Sequence, residues 1–134
     1  MSRINLTIKM NTLELIAKEK IEKSGRLLLG SCYIKELPNE LAEMDWLKVL
    51  YLGENRIKDI SILSKLKNLE WLNLCENKLT DIAPLSDLVK LKTLALTENK
   101  ITDISPLHNL TDLTILYLDD NQITDFSCIS NFTK

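Results

Sequence analysis

The chain has 134 residues, of which 45% are hydrophobic and 27% charged, with only 3 Gly and 3 Pro. That size and balance predict one folded domain and exclude a disordered tail, a collagen-like rod and a Gly/Ser linker. The net charge of −2 provides no global field that would favour nucleic acid or an acidic membrane surface.

The first ten residues alternate polar and apolar side chains and lack the apolar run of roughly 7–15 residues that marks a secretory signal. The longest apolar run is Leu27-Leu28-Leu29, far below the ~20 residues that span a bilayer. Residues 11–25 read as a helical cap. Asn11 starts it, Glu14 completes a capping box, and Leu13, Ile16, Ala17 and Ile21 form one apolar stripe. Glu14/Lys18 and Glu19/Lys23 are i,i+4 pairs, and Gly25 is placed to end the helix. The expected organisation is a cap over residues 1–25 and repeats over 26–134.

Asn55, Asn77, Asn99 and Asn121 are spaced 22 residues apart, and the same frame surrounds each. One copy reads Leu69, Leu72, Leu74, Asn77, Leu79, Asp81, Ile82, Leu85 and Leu88; the next reads Leu91, Leu94, Leu96, Asn99, Ile101, Asp103, Ile104, Leu107 and Leu110. A divergent copy precedes them, with Leu27, Leu29, Cys32, Ile34, Leu37, Leu41 and Met44 in the same slots and Cys32 in place of Asn. Terminal copies are commonly atypical because one side meets a cap.

This frame resembles the leucine-rich-repeat family, and its 22-residue length with Asp-Ile-x-Pro-Leu looks like the subclass of bacterial internalins and of the type-one phosphatase regulator. The resemblance implies an α/β solenoid, a right-handed coil with a parallel sheet on its concave face. It also implies a bacterial origin and a non-catalytic protein-binding role. A regulatory subunit that positions an enzyme is one alternative. The other is a structural unit that self-assembles, as a homodimer or longer, through a C-terminal edge with no evident cap. The chain reads as a piece of a longer repeat protein or as one half of such a dimer, ahead of a third reading in which Phe126 and Phe132 close the end alone.

Within the frame, Leu50 and Leu52 are two apart and face one side of a strand, while Tyr51 faces the other. The Asn follows each strand where the chain turns. Its amide can satisfy turn groups that water does not reach, so Asn55, Asn77, Asn99 and Asn121 are expected to form a structural ladder. Asp59, Asp81, Asp103 and Asp125 precede the return segments as caps, accepting from backbone N–H groups two or three residues on.

The outward strand positions form three columns: Val49, Trp71, Thr93 and Ile115; Tyr51, Asn73, Ala95 and Tyr117; and Gly53, Cys75, Thr97 and Asp119. A binding face is expected from Tyr51, Trp71, Asn73, Ile115 and Tyr117, bordered by Glu76, Glu98, Asp119 and Asp120. Five short strands project a face on the order of 250 Å², below the ~800 Å² per partner of a standard interface. Either a partner also grips the flanks, or further repeats or self-association enlarge the surface.

Chemistry finds little support. His108 is the only histidine, expected on the convex side and away from Cys75. The acidic column Glu54, Glu76, Glu98 and Asp120 runs beside Arg56, Lys78 and Lys100. This reads as a solvated alternating surface rather than a calcium ladder. No metal, cofactor, nucleic acid or membrane partner is expected. Cys32, Cys75 and Cys128 form no C-x-x-C motif, which suits free thiols in a reducing cytoplasm. Export without a cleaved signal would read the same.

Overall fold

The computed structural model describes residues 2–132, with side chains described from Thr12 onward except that of Asn131. A helix, α1 (Ser2–Glu22), precedes five three-residue strands: β1 (Arg26–Leu28), β2 (Val49–Tyr51), β3 (Trp71–Asn73), β4 (Thr93–Ala95) and β5 (Ile115–Tyr117). The strands form one parallel sheet in sequence order. Their register aligns the outward columns, with Val49, Trp71, Thr93 and Ile115 in one rank and Tyr51, Asn73, Ala95 and Tyr117 in the next. Each return segment contains a short 3₁₀ turn, such as Ser61–Lys65 and Ala83–Leu85.

The interior is an aliphatic stack. Leu50, Leu72 and Leu94 on the strands, and Leu63, Leu85 and Leu107 on the return turns, have no solvent exposure. The 22-residue period places the same side-chain volume in every coil, so each Leu packs on its equivalent above and below.

Backbone hydrogen bonds continue past the strands. The Leu52 N–H donates to Asn73 O at 2.8 Å and the Glu54 N–H to Cys75 O at 2.9 Å. To bend the chain inward there, Glu54, Glu76, Glu98 and Asp120 adopt left-handed backbone, with φ of 58°, 53°, 56° and 57°. Nothing in the three Glu residues announces this, because the left-handed region favours Gly and then Asn and Asp.

The cap differs from its expected form. α1 begins at Ser2, so Asn11 lies inside the helix and does not start it. No Gly or Pro interrupts residues 2–11, so nothing in that stretch breaks the helix. Among the described side chains of the helix, Ile16 is buried as expected, together with Thr12 and Glu19, whereas Leu13 and Ala17 are exposed and Ile21 is 85% exposed. Among the described residues, the ion pair within the helix is Lys18–Glu22, at 3.8 Å, in place of the expected Glu14/Lys18 and Glu19/Lys23 pairs, and Lys20 reaches Glu43 at 2.9 Å.

Glu19, only 4% exposed, is the latch. Its carboxylate accepts hydrogen bonds from the Ser24 hydroxyl, the Gly25 N–H at 2.8 Å and Trp46 Nε1–H at 3.1 Å. Burial pushes this carboxyl up, but those donors together outweigh it and leave it below its ordinary value. The helix ends at Glu22, where Lys23 turns left-handed, and Gly25 does so again at φ 84°. Gly25 O then accepts from the Lys48 and Val49 N–H groups, both at 2.9 Å, which ties the cap to β2.

Candidate protein-binding face

The face is set by strand alternation: with Leu27 and Leu50 inside, Leu28 and Tyr51 must point out. Tyr51 and Trp71 stack, with ring centroids 6.1 Å apart and an angle of 17° between planes. Two glycines make room for the Tyr51 ring. A Cβ on Gly30 would lie 2.0 Å from Tyr51 Cε1, and one on Gly53 would lie 3.0 Å from the phenol oxygen. Burial, and then the charge of Glu54, push the Tyr51 phenol above its ordinary value.

Tyr117 and Ile115 stand on β5, 50% and 44% exposed. Between them and the stacked pair lies β4, whose outward residues are the small Thr93 and Ala95. The expected aromatic trio is therefore divided, with Tyr51 and Trp71 on one side of a one-strand saddle and Tyr117 on the other. Asn73 is less available than expected, because its Oδ1 accepts from the Cys75 N–H at 2.9 Å. Leu28, 55% exposed in the Tyr51 rank, belongs to the same face and was missed. The alternation of Leu27, Leu28 and Leu29 was the available signal.

The two long borders differ in charge compensation. Along the strand starts, Lys92 donates to Glu70 at 2.7 Å, with Lys48 at 3.8 Å on the same carboxylate. The Lys92 hydrogen bond and charge hold the Glu70 carboxyl below its ordinary value. Along the strand ends, Glu76, Glu98, Asp119 and Asp120 are exposed, and none forms an ion pair among the described residues.

Beneath this border runs the Asn column. Asn77 Oδ1 accepts from the Ile57 N–H of the preceding coil at 3.0 Å, and its Nδ2 donates to Leu52 O and Leu74 O at 3.0 and 3.1 Å. Asn55 and Asn99 repeat the arrangement; Asn55 Oδ1 accepts from both Cys32 N–H and Ile34 N–H. Asn121 makes the same bonds while half-exposed. On the return side, Asp59, Asp81, Asp103 and Asp125 each accept from the N–H two residues on, at 2.8 to 2.9 Å.

Among the described residues, potential catalytic groups do not converge, and no three His, Cys, Asp or Glu side chains gather as a metal site requires. His108 lies on the return side and is exposed, with Nδ1 2.9 Å from Ser105 O. Burial pushes the Cys75 thiol up, away from the thiolate a nucleophile needs. No described helix is long and apolar enough to cross a membrane.

The family described as leucine-rich repeats (2 copies) matches residues 45–87, 67–107 and 89–131. Among solved structures, an internalin C2 from Listeria monocytogenes is 42% identical over 81% of this chain and 46% of its own, with a TM-score of 0.75. A leucine-rich-repeat protein from Leptospira interrogans is 36% identical over 68% of this chain and 24% of its own, with a TM-score of 0.63. A second Listeria monocytogenes internalin is 28% identical, with a TM-score of 0.58, over 81% of this chain and 38% of its own. The chain thus spans less than half the length of each of these three structures. No curated protein sequence matches it significantly. The 22-residue coil, the Asn ladder and these matches agree: the chain belongs to the leucine-rich-repeat family, in its internalin-like subclass.

Proposed function

We propose that this chain is a non-catalytic protein-recognition module whose partner lies across the sheet face. The observation that carries this reading is the outward surface made by Leu28, the stacked Tyr51–Trp71 pair, Ile115 and Tyr117 over two adjacent ranks, which leaves apolar and aromatic surface in water. The saddle at Thr93 and Ala95 receives a ridge or extended segment. Glu76, Glu98, Asp119 and Asp120 favour basic side chains along one border of the partner. Replacing Tyr51, Trp71 and Tyr117 together with Ala should weaken capture of that partner by about a hundredfold while leaving the thermal melt cooperative. Unchanged affinity would overturn the proposal.

A second reading, self-association, is favoured by the last coil. There Phe126 is exposed and Leu116, Leu118 and Ile123 are only partly buried. Light scattering after size exclusion, over a tenfold concentration range, tests it. A mass above 15.4 kDa that rises with concentration and reverts in Ile123→Lys supports it; a constant monomer excludes it.

A further inference from the structure

The flank beyond the Asn ladder carries a second feature, independent of the sheet face. An open groove of about 650 Å³ crosses the first three coils on the return side. Lys35, Arg56, Lys58 and Lys78 line it, against only Glu36 and Asp59. None of the four cations forms an ion pair among the described residues. Asp59 is already engaged by the Ser61 N–H at 2.8 Å, and that bond holds its carboxyl below the ordinary value.

Arg56 is held in place before any ligand arrives. Its backbone N–H donates to Ile34 O at 2.8 Å, and its guanidinium lies 5.3 Å from the centroid of the Tyr33 ring. Half-buried Leu37 and Ile62 add apolar floor. Cations on three successive coils with apolar surface between them suit a peptide carrying carboxylates. Residues 36–134 hold 10 basic and 16 acidic side chains, so a long polyanion running off the groove would meet repulsion, and a short acidic stretch would not.

We propose that this groove binds a short acidic segment of a second protein, clamped by Lys35, Arg56, Lys58 and Lys78. The test uses a fluorescein-labelled hexaglutamate peptide, read by anisotropy in about 50 mM salt, where screening is weak. Saturable binding is expected. Arg56→Glu with Lys78→Glu should weaken it about tenfold or more, whereas Lys65→Glu with Lys67→Glu, outside the groove, should change it less than about twofold. Tyr51→Ala with Trp71→Ala should leave it unchanged, which separates this groove from the sheet face. Circular dichroism melts verify folding, and Lys35→Glu with Lys58→Glu replaces the first pair if that pair unfolds. No binding by about 1 mM peptide, or equal weakening by both charge-reversal pairs, would overturn the proposal. So would displacement of the peptide by millimolar inorganic phosphate, or tighter binding of oligothymidylate. Concentration-dependent self-association that Arg56→Glu with Lys78→Glu abolishes would assign the groove to a second copy instead, and would equally overturn it.

Discussion

Leu94 and Leu116 hold the same slot on adjacent strands, yet Leu94 has no solvent exposure and Leu116 is only partly buried. The Asn slots diverge in the same way: Asn77 and Asn99 are buried, while Asn121 is half-exposed with the same hydrogen-bond partners. At the other end of the coil, Leu27 and Leu29 are as well buried as the middle Leu residues because Ile16 and the Glu19 seat cover them. A repeat motif therefore specifies where a side chain points, while its burial depends on what lies against each face of the coil. Stability is expected to be graded along the solenoid, high in the middle, held by one polar latch at the cap and lower in the last coil.

Cavity variants break this comparison most directly. Leu94→Ala should cost about 3–5 kcal/mol in denaturant unfolding, whereas Leu116→Ala should cost only about 1–2 kcal/mol because its slot already reaches water. Equal losses would mean that both coils are packed alike. The Asn ladder comes next. Asn77→Ala strands the Ile57 N–H, while Leu52 O and Leu74 O keep the Asn55 and Asn99 amides, and should cost about 2 kcal/mol, against about 1 kcal/mol for Asn121→Ala, whose own slot is half-exposed.

Glu19→Gln sharpens the comparison at the cap. An amide keeps one oxygen for the Gly25 and Trp46 donors but puts N–H hydrogens against the Ser24 hydroxyl and removes the charge that strengthens all three bonds, and should cost about 1–3 kcal/mol at neutral pH. The Glu19 carboxyl lies lower in the folded chain than in the unfolded one. Its contribution is therefore complete above the unfolded value and is lost as pH falls through the folded one. Acid titration of stability should be shallower in the Gln variant over that interval, and identical titration curves would remove Glu19 as the latch.

The smallest effect is expected at the left-handed positions. Glu98→Asn relieves the cost of φ 56° and one acid of the border, and should stabilise by about 0.5 kcal/mol. The same change at Asp120, in the last coil, should gain no more. A loss of stability at Glu98 would mean that its side chain makes a contribution of its own.

The fold and much of the candidate face were legible in the sequence because a 22-residue period repeats every constraint four times. Periodicity alone set the interior Leu positions, the outward columns and the site of each Asn, since a strand alternates sides with every residue. Cues that occur once were read less well. Hydrophobicity marks Leu13, Ile16, Ala17 and Ile21 as the cap stripe, whereas of these the structure buries only Ile16, beside Thr12 and Glu19, and the value of Glu19 depends on Ser24, Gly25 and Trp46 being brought to it.

The sequence by itself determined the coil, its register and the outward side chains of β2 to β5. Only the tertiary structure decided that Tyr51 leans over Gly30 and Gly53 to stack on Trp71, that Tyr117 stands apart across a low saddle, and that Arg56 and its neighbouring lysines gather around a groove with no ion pair among the described residues. The physical reason is range. Alternation and hydrophobic period act between near neighbours in the chain, whereas a ring over a glycine or a set of unpaired cations is a property of side chains roughly 20 residues apart, set by which coils the packing places side by side.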